Sequence, residues 1–191
     1  MTGRGSMPGA DRYTALAQLF HWGMLLFVAG LFPLGYVMSG MVLSPDKLQL
    51  YSWHKSFGVV VFALTVLRLG WRMLRPPPPP PATVPPHERV AAHAVHALLY
   101  ICLLALPLSG WIMSSASGLP VVVFRAVQLP DLVGADEPLR LTMLTVHFGI
   151  GLAMLALLAV HAAAALYHHF GRRDEVLARM LPLIHRRDRE P

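Results

Sequence analysis

Eight histidines lie within or at the edges of apolar stretches of this chain: His21, His54, His93, His96, His147, His161, His168 and His169. An ionisable side chain in hydrocarbon is costly, usually faces a bundle interior and usually has a task there. His147 and His161 set the geometry, being 14 residues apart. On a helix that spacing leaves them about 40° apart in direction and about 21 Å apart in depth. One face and two depths imply two sites, one above the other. Imidazoles at two axial positions suit haem iron. Zinc prefers four converging ligands, with sulfur or carboxylate common among them, and His54 with His147 has no such company. There is no C-x-x-C-H, so such a haem would be held non-covalently.

The elements that must carry these residues follow from composition. The chain has 191 residues, 55% of them hydrophobic and 14% charged, with a mean hydropathy of +0.52. That is too apolar for an ordinary soluble domain. Four stretches reach the roughly 20 residues that a membrane-crossing helix needs, at about 16–38, 53–74, 90–113 and 142–170. A cleaved leader before a soluble domain does not fit, because the first 15 residues are polar and Gly-rich and three further spans follow the first. The expected fold is all-α, an integral membrane four-helix bundle. Residues 1–12 are expected to be disordered, 13–170 to form the transmembrane domain, and 171–191 a basic tail.

Charge orients the bundle. Twelve of the sixteen Lys and Arg residues fall in the two termini, the second connection and the span ends beside them, whereas Lys47, Lys55, Arg125 and Arg140 fall on the other side. The positive-inside rule then places both termini in the cytoplasm. The net charge of +6 therefore reports topology and calls for no nucleic acid.

Topology assigns partners to each depth. His54 enters its span from the outer side, level with His147. His21 lies near the inner start of the first span, level with His161. The 14-residue step recurs: His21 is followed by Gly35, His54 by Arg68 and His96 by Gly110. Glycine lets a bulky group approach the backbone, which suits a porphyrin lying against the first and third helices. Gly58 and Gly151, one turn after His54 and His147, add clearance. Arg68 is placed to pair with a haem propionate. At the inner depth His21, His96 and His161 compete for two axial places, and spacing alone leaves that open.

The connections are plainer. Pro76–Pro81, followed by Pro85 and Pro86, form a stiff spacer that also stops the second helix. The third connection, Ser114–Arg140, contains an apolar piece, Leu119–Val127, too short to cross and expected to lie over the outer mouth. Val176–Leu183 is expected to form a short surface helix. Cys102, the only cysteine, reads as a small core residue.

Several motifs resemble the bacterial cytochrome b561 family: Phe20-His21-Trp22, Trp53-His54-Lys55-Ser56-Phe57-Gly58, His93-Ala94-Val95-His96, Val146-His147, and the run from His161 through four alanines and Leu166-Tyr167 to His168-His169. The resemblance covers roughly Tyr13 to Pro182. It implies an inner-membrane protein with two b-type haems, His21 and His161 being the inner axial ligands and His54 and His147 the outer. His96 and His168 then become candidates for a quinone pocket. Members of this short type are similar to superoxide oxidase, which passes electrons from superoxide to ubiquinone. Lys55 and Arg125 would draw the anion to the outer mouth. The competing expectation is the cytochrome b subunit of a membrane-bound hydrogenase or dehydrogenase, reduced by a partner protein.

Overall fold

In the computed structural model, which describes residues 12–182, capping chemistry sets where the helices begin. Thr14 opens α1 (Ala15–Gly40) by accepting from the Ala17 N–H. Ser44 does the same for α2 (Pro45–Leu74) through Lys47, and Asp136 for α4 (Glu137–Leu166) through Leu139. The third helix, α3 (Pro86–Ala116), starts with proline, as do α2 and, one residue in, α4. At those positions the missing N–H has no intrahelical partner to lose. With 26 to 31 residues each, the helices are about 39–46 Å long and exceed the hydrocarbon thickness.

The helices outrun the apolar spans. α2 begins eight residues before Trp53 and α4 five before Thr142. Hydropathy marks the stretch in lipid, whereas the caps mark the helix. His54 therefore sits in the third turn of α2, not at its start. Beyond Leu166 the chain widens into a π-helical turn, Tyr167–Arg172, closed by Arg173 in the left-handed region at φ 55°.

Packing runs α1 on α2, α2 on α3 and α3 on α4. The buried core is Val28, Val61, Leu99, Cys102 and Met154. Val28, Val61 and Met154 each lie seven residues beyond a histidine (His21, His54 and His147), or about 10 Å along the axis. An apolar layer thus separates the two histidine depths, and Cys102 belongs to it. The outer faces carry large apolar side chains such as Leu26, Tyr36 and Phe148, which are 75%, 83% and 66% exposed. Surfaces of that kind need lipid around them.

The connection from α3 to α4 forms a small antiparallel hairpin, β1 (Val122–Val123) on β2 (Val127–Gln128). Its tip places Phe124 and Arg125 in the left-handed region, at φ 46° and 61°. That backbone costs an L-residue about 1–2 kcal/mol. Contacts to α2 offset it: the Phe124 N–H donates to Ser56 Oγ at 2.9 Å, and its ring meets Phe57 edge-on at 5.4 Å. We call this the hairpin end.

At the opposite, tail end, residues 178–181 cross the base of α1. Arg12 donates to the carbonyls of Ala178 and Leu181, Gln18 to Arg179 and Trp22 to Met180. Arg179 in turn donates to Pro79 of the proline loop. The short helix expected over Val176–Leu183 is a single 3-10 turn, Ala178–Met180, because the carbonyls of this strap serve α1 instead of a helix of their own. Leu183, Arg4, Arg186, Arg187, Arg189 and all but the last of residues 1–12 lie outside the described residues.

Candidate functional site

At the hairpin end α2 and α4 bring His54 and His147 face to face, with ring centroids 6.3 Å apart and planes at 66°. Two glycines make room for them. A Cβ on Gly35 would lie 3.2 Å from His54 Cε1, and one on Gly110 would lie 3.3 Å from His147 Cε1. Each glycine thus lies directly against one of the imidazoles. Gly58 has open space where its side chain would be, and Gly151 has only the Phe32 ring nearby, at 3.8 Å.

The second nitrogens of the two rings differ. His147 Nδ1 lies 3.0 Å from Ser109 Oγ, and that hydroxyl donates onward to the Leu106 carbonyl at 2.9 Å. His54 Nδ1 is buried and has no hydrogen-bond partner among the described residues.

At the tail end His21 and His161 stand 6.1 Å apart at 75°. His96 of α3 approaches the same His161 ring at 5.2 Å. Arg68 donates to His21 Nδ1 at 3.2 Å and lies over the Tyr100 ring at 5.7 Å. Among the described residues it pairs with no carboxylate. A guanidinium placed this way in a membrane bundle favours an anion beside it.

These spacings can be tested against a metal held between two imidazoles. Two metal–nitrogen bonds of about 2.0–2.1 Å, plus half of each ring, span roughly 6 Å between centroids. His54–His147 and His21–His161 fit that span, whereas His96–His161 is a direct ring contact. Groups of three or more His, Cys, Asp or Glu side chains disposed to hold a metal ion are absent among the described residues.

The remaining candidates part company. His168 Nδ1 is 2.5 Å from Asp174 Oδ2 and its Nε2 is 3.6 Å from Glu88, which also binds Arg172. It thus belongs to a carboxylate cluster beside the π-helical turn, apart from His96. His93 Nδ1 bonds the Arg89 carbonyl of its own helix. Of the hairpin-end cations, Arg140 is paired with Glu137 at 2.5 Å and Lys47 with the Met41 carbonyl at 2.5 Å. Arg125 hydrogen-bonds Gln49 at the hairpin tip, and Lys55 is half-buried beside His54. Arg125 and Lys55 each adjoin in sequence one partner of the Phe124–Ser56 bond.

Ser109, Ser56 and Asp174 were not singled out by sequence. Ser109 left a trace: it is a hydroxyl within an apolar span, next to Gly110. Asp174 left none, because its contact depends on the π-helical turn.

Four membrane-spanning helices with facing imidazoles at two depths define a class, the multi-pass membrane cytochromes. Residues 12–183 match prokaryotic cytochrome b561, and the chain belongs to that family of membrane electron-transfer cytochromes, which bind haem b. It is 34% identical to cytochrome b561 homolog 2 of Escherichia coli K12 over 178 residues, covering 90% of this chain and 92% of that protein. It is 31% identical to cytochrome b561 homolog 1 of the same organism, covering 90% and 98%. Similarity extends, at 26% identity covering 90% and 96%, to a Yersinia pestis protein named probable superoxide oxidase CybB.

Proposed function

We propose that this chain is a di-haem b cytochrome of the bacterial inner membrane, a superoxide:ubiquinone oxidoreductase with both termini in the cytoplasm. The hairpin end is then the periplasmic end. His54 with His147, and His21 with His161, would hold the two haems, which supply a one-electron centre at each depth when bound. Arg68 would meet a propionate at the tail-end site. Two superoxide anions would each give up one electron and leave as dioxygen, and one ubiquinone would take up two electrons and two protons.

The observation that carries the reading is the Phe124–Ser56 bond, whose two partners are the chain neighbours of Arg125 and Lys55 at the end of the bundle where His54 lies. Superoxide is small and anionic, and local cations raise its encounter rate. The similarity to a protein named as a superoxide oxidase supports the same reading. His96, which touches His161 outside the proposed axial pair, is the favoured contact for a quinone head group. His168 is the weaker candidate, since Asp174 already binds its Nδ1 and Glu88 lies 3.6 Å from its Nε2.

Purified oxidised protein should show reduced b-type absorbance within the mixing time of a superoxide pulse, and added ubiquinone should reverse it. Continued oxidation of the protein under superoxide would reject the proposal. A reporter fused after Pro191 should be active in the cytoplasm; periplasmic activity would reverse the two ends.

A second reading has one observation in its favour. Around the hairpin-end mouth Asp46, Asp131, Asp136 and Glu137 balance Lys47, Lys55, Arg125 and Arg140, so any steering field is local. A docked hydrogenase or dehydrogenase needs no such field. Reduction by a co-purifying dehydrogenase but not by superoxide would decide for it.

A further inference from the structure

We infer that Ser109 is a positioning residue for the hairpin-end haem: its hydroxyl fixes the tautomer of His147 and strengthens that imidazole as an iron ligand. The inference rests on the proposal that His147 is an axial ligand.

We take the hydrogen-bond chain to run from His147 Nδ1–H to Ser109 Oγ and on to the Leu106 carbonyl. Ser109 is 5% exposed, and its Oγ has two neighbours, the Leu106 carbonyl at 2.9 Å and His147 Nδ1 at 3.0 Å. A carbonyl only accepts, so the single hydroxyl proton goes to Leu106. The hydroxyl oxygen then presents a lone pair to His147, which matches a ring proton on Nδ1. The Leu106 carbonyl also accepts from His147, which favours the same tautomer. Buried polar groups settle into the arrangement that satisfies most of them.

With the proton on Nδ1, the lone pair of the neutral ring is on Nε2, the nitrogen left to face a metal. Donation from Nδ1–H to an oxygen also makes the imidazole a more basic ligand. More electron density at the metal favours the ferric state, so the serine should hold the haem at a lower potential. None of the other three proposed ligands has such a support. Among the described residues His54 Nδ1 has no hydrogen-bond partner, His21 Nδ1 faces a donor, Arg68, and His161 has His21 and His96 as ring neighbours. Gly110, next to Ser109, completes the arrangement, because the ring can approach α3 only where a Cβ is missing.

The test is a redox titration of full-length protein carrying Ser109→Ala or Ser109→Thr, with the two haems resolved by their low-temperature spectra and electron paramagnetic resonance. Ser109→Ala should move the potential of the hairpin-end haem upwards, shift its ferric g-values, and leave the tail-end haem where it was. Ser109→Thr keeps a hydroxyl at the same position and should restore the native potential. An unshifted potential and unchanged g-values in Ser109→Ala would overturn the inference. Equal shifts in both haems would overturn it as well, since a general loosening does that. His147→Ala separates the two levels of the argument. If that variant keeps both haems, the ligand assignment itself fails. If it loses one while Ser109→Ala changes nothing, only the role of Ser109 fails.

Discussion

The two ends of the bundle handle the same problem differently. At the hairpin end two histidines face each other, two glycines make room for their rings, and a serine fixes one of them. At the tail end two histidines, His21 and His96, flank His161, with a guanidinium against His21. The first is a two-point clamp with no spare part. The second has one imidazole more than an axial pair needs and a cation without a carboxylate. A site with no surplus should fail outright when one part is removed, whereas a site with a surplus can fail partially and can accommodate a second ligand.

The sharpest test of that contrast also has the largest expected effect. His54→Ala and His147→Ala should each remove one haem completely, halving the haem per chain in a pyridine haemochrome assay. Full haem content in either variant would dissolve the clamp. Next in size is Gly110→Val. Its new Cβ would lie 3.3 Å from His147 Cε1 before the branch is added, and overpacking of that kind typically costs about 1–3 kcal/mol. Most of the hairpin-end haem should be lost, with the other haem retained.

At the tail end the expected effects divide. His161→Ala should empty that site, whereas His96→Ala should keep its haem and weaken turnover with ubiquinone. The reverse result, haem lost from His96→Ala and kept in His161→Ala, would move the ligand pair to α1 and α3. A smaller change is expected from replacing both Lys55 and Arg125 by glutamine. Reduction by superoxide should slow by about tenfold, and rising salt should slow the native protein but barely affect the variant. Smallest is Asp174→Asn, which should leave haem content and turnover unchanged while speeding amide exchange across residues 167–182.

The fold was legible because lipid imposes long apolar helices and the histidine spacing follows helical geometry. The 14-residue step between His147 and His161 gave two depths directly, and the model places a facing partner at each. Helix ends were less legible, since Ser44 and Asp136 start helices in polar sequence that hydropathy passes over. Spacing shows that Gly35 and Gly110 are level with a histidine, but not that each lies against its ring. Contacts that depend on a bend, such as His168 with Asp174 across the π-helical turn, have no linear signature at all.

The strap at the tail end also sets an order in time. Packing links the helices as a row from α1 to α4, and at this end the first helix is tied to the last part of the chain through the carbonyls of residues 178–181. Those carbonyls are synthesised after His161. At about 5–20 residues per second, the ribosome adds the stretch from His161 to Leu181 in roughly one to four seconds. The strap can therefore close against Arg12, Gln18 and Trp22 only after α4 has been made.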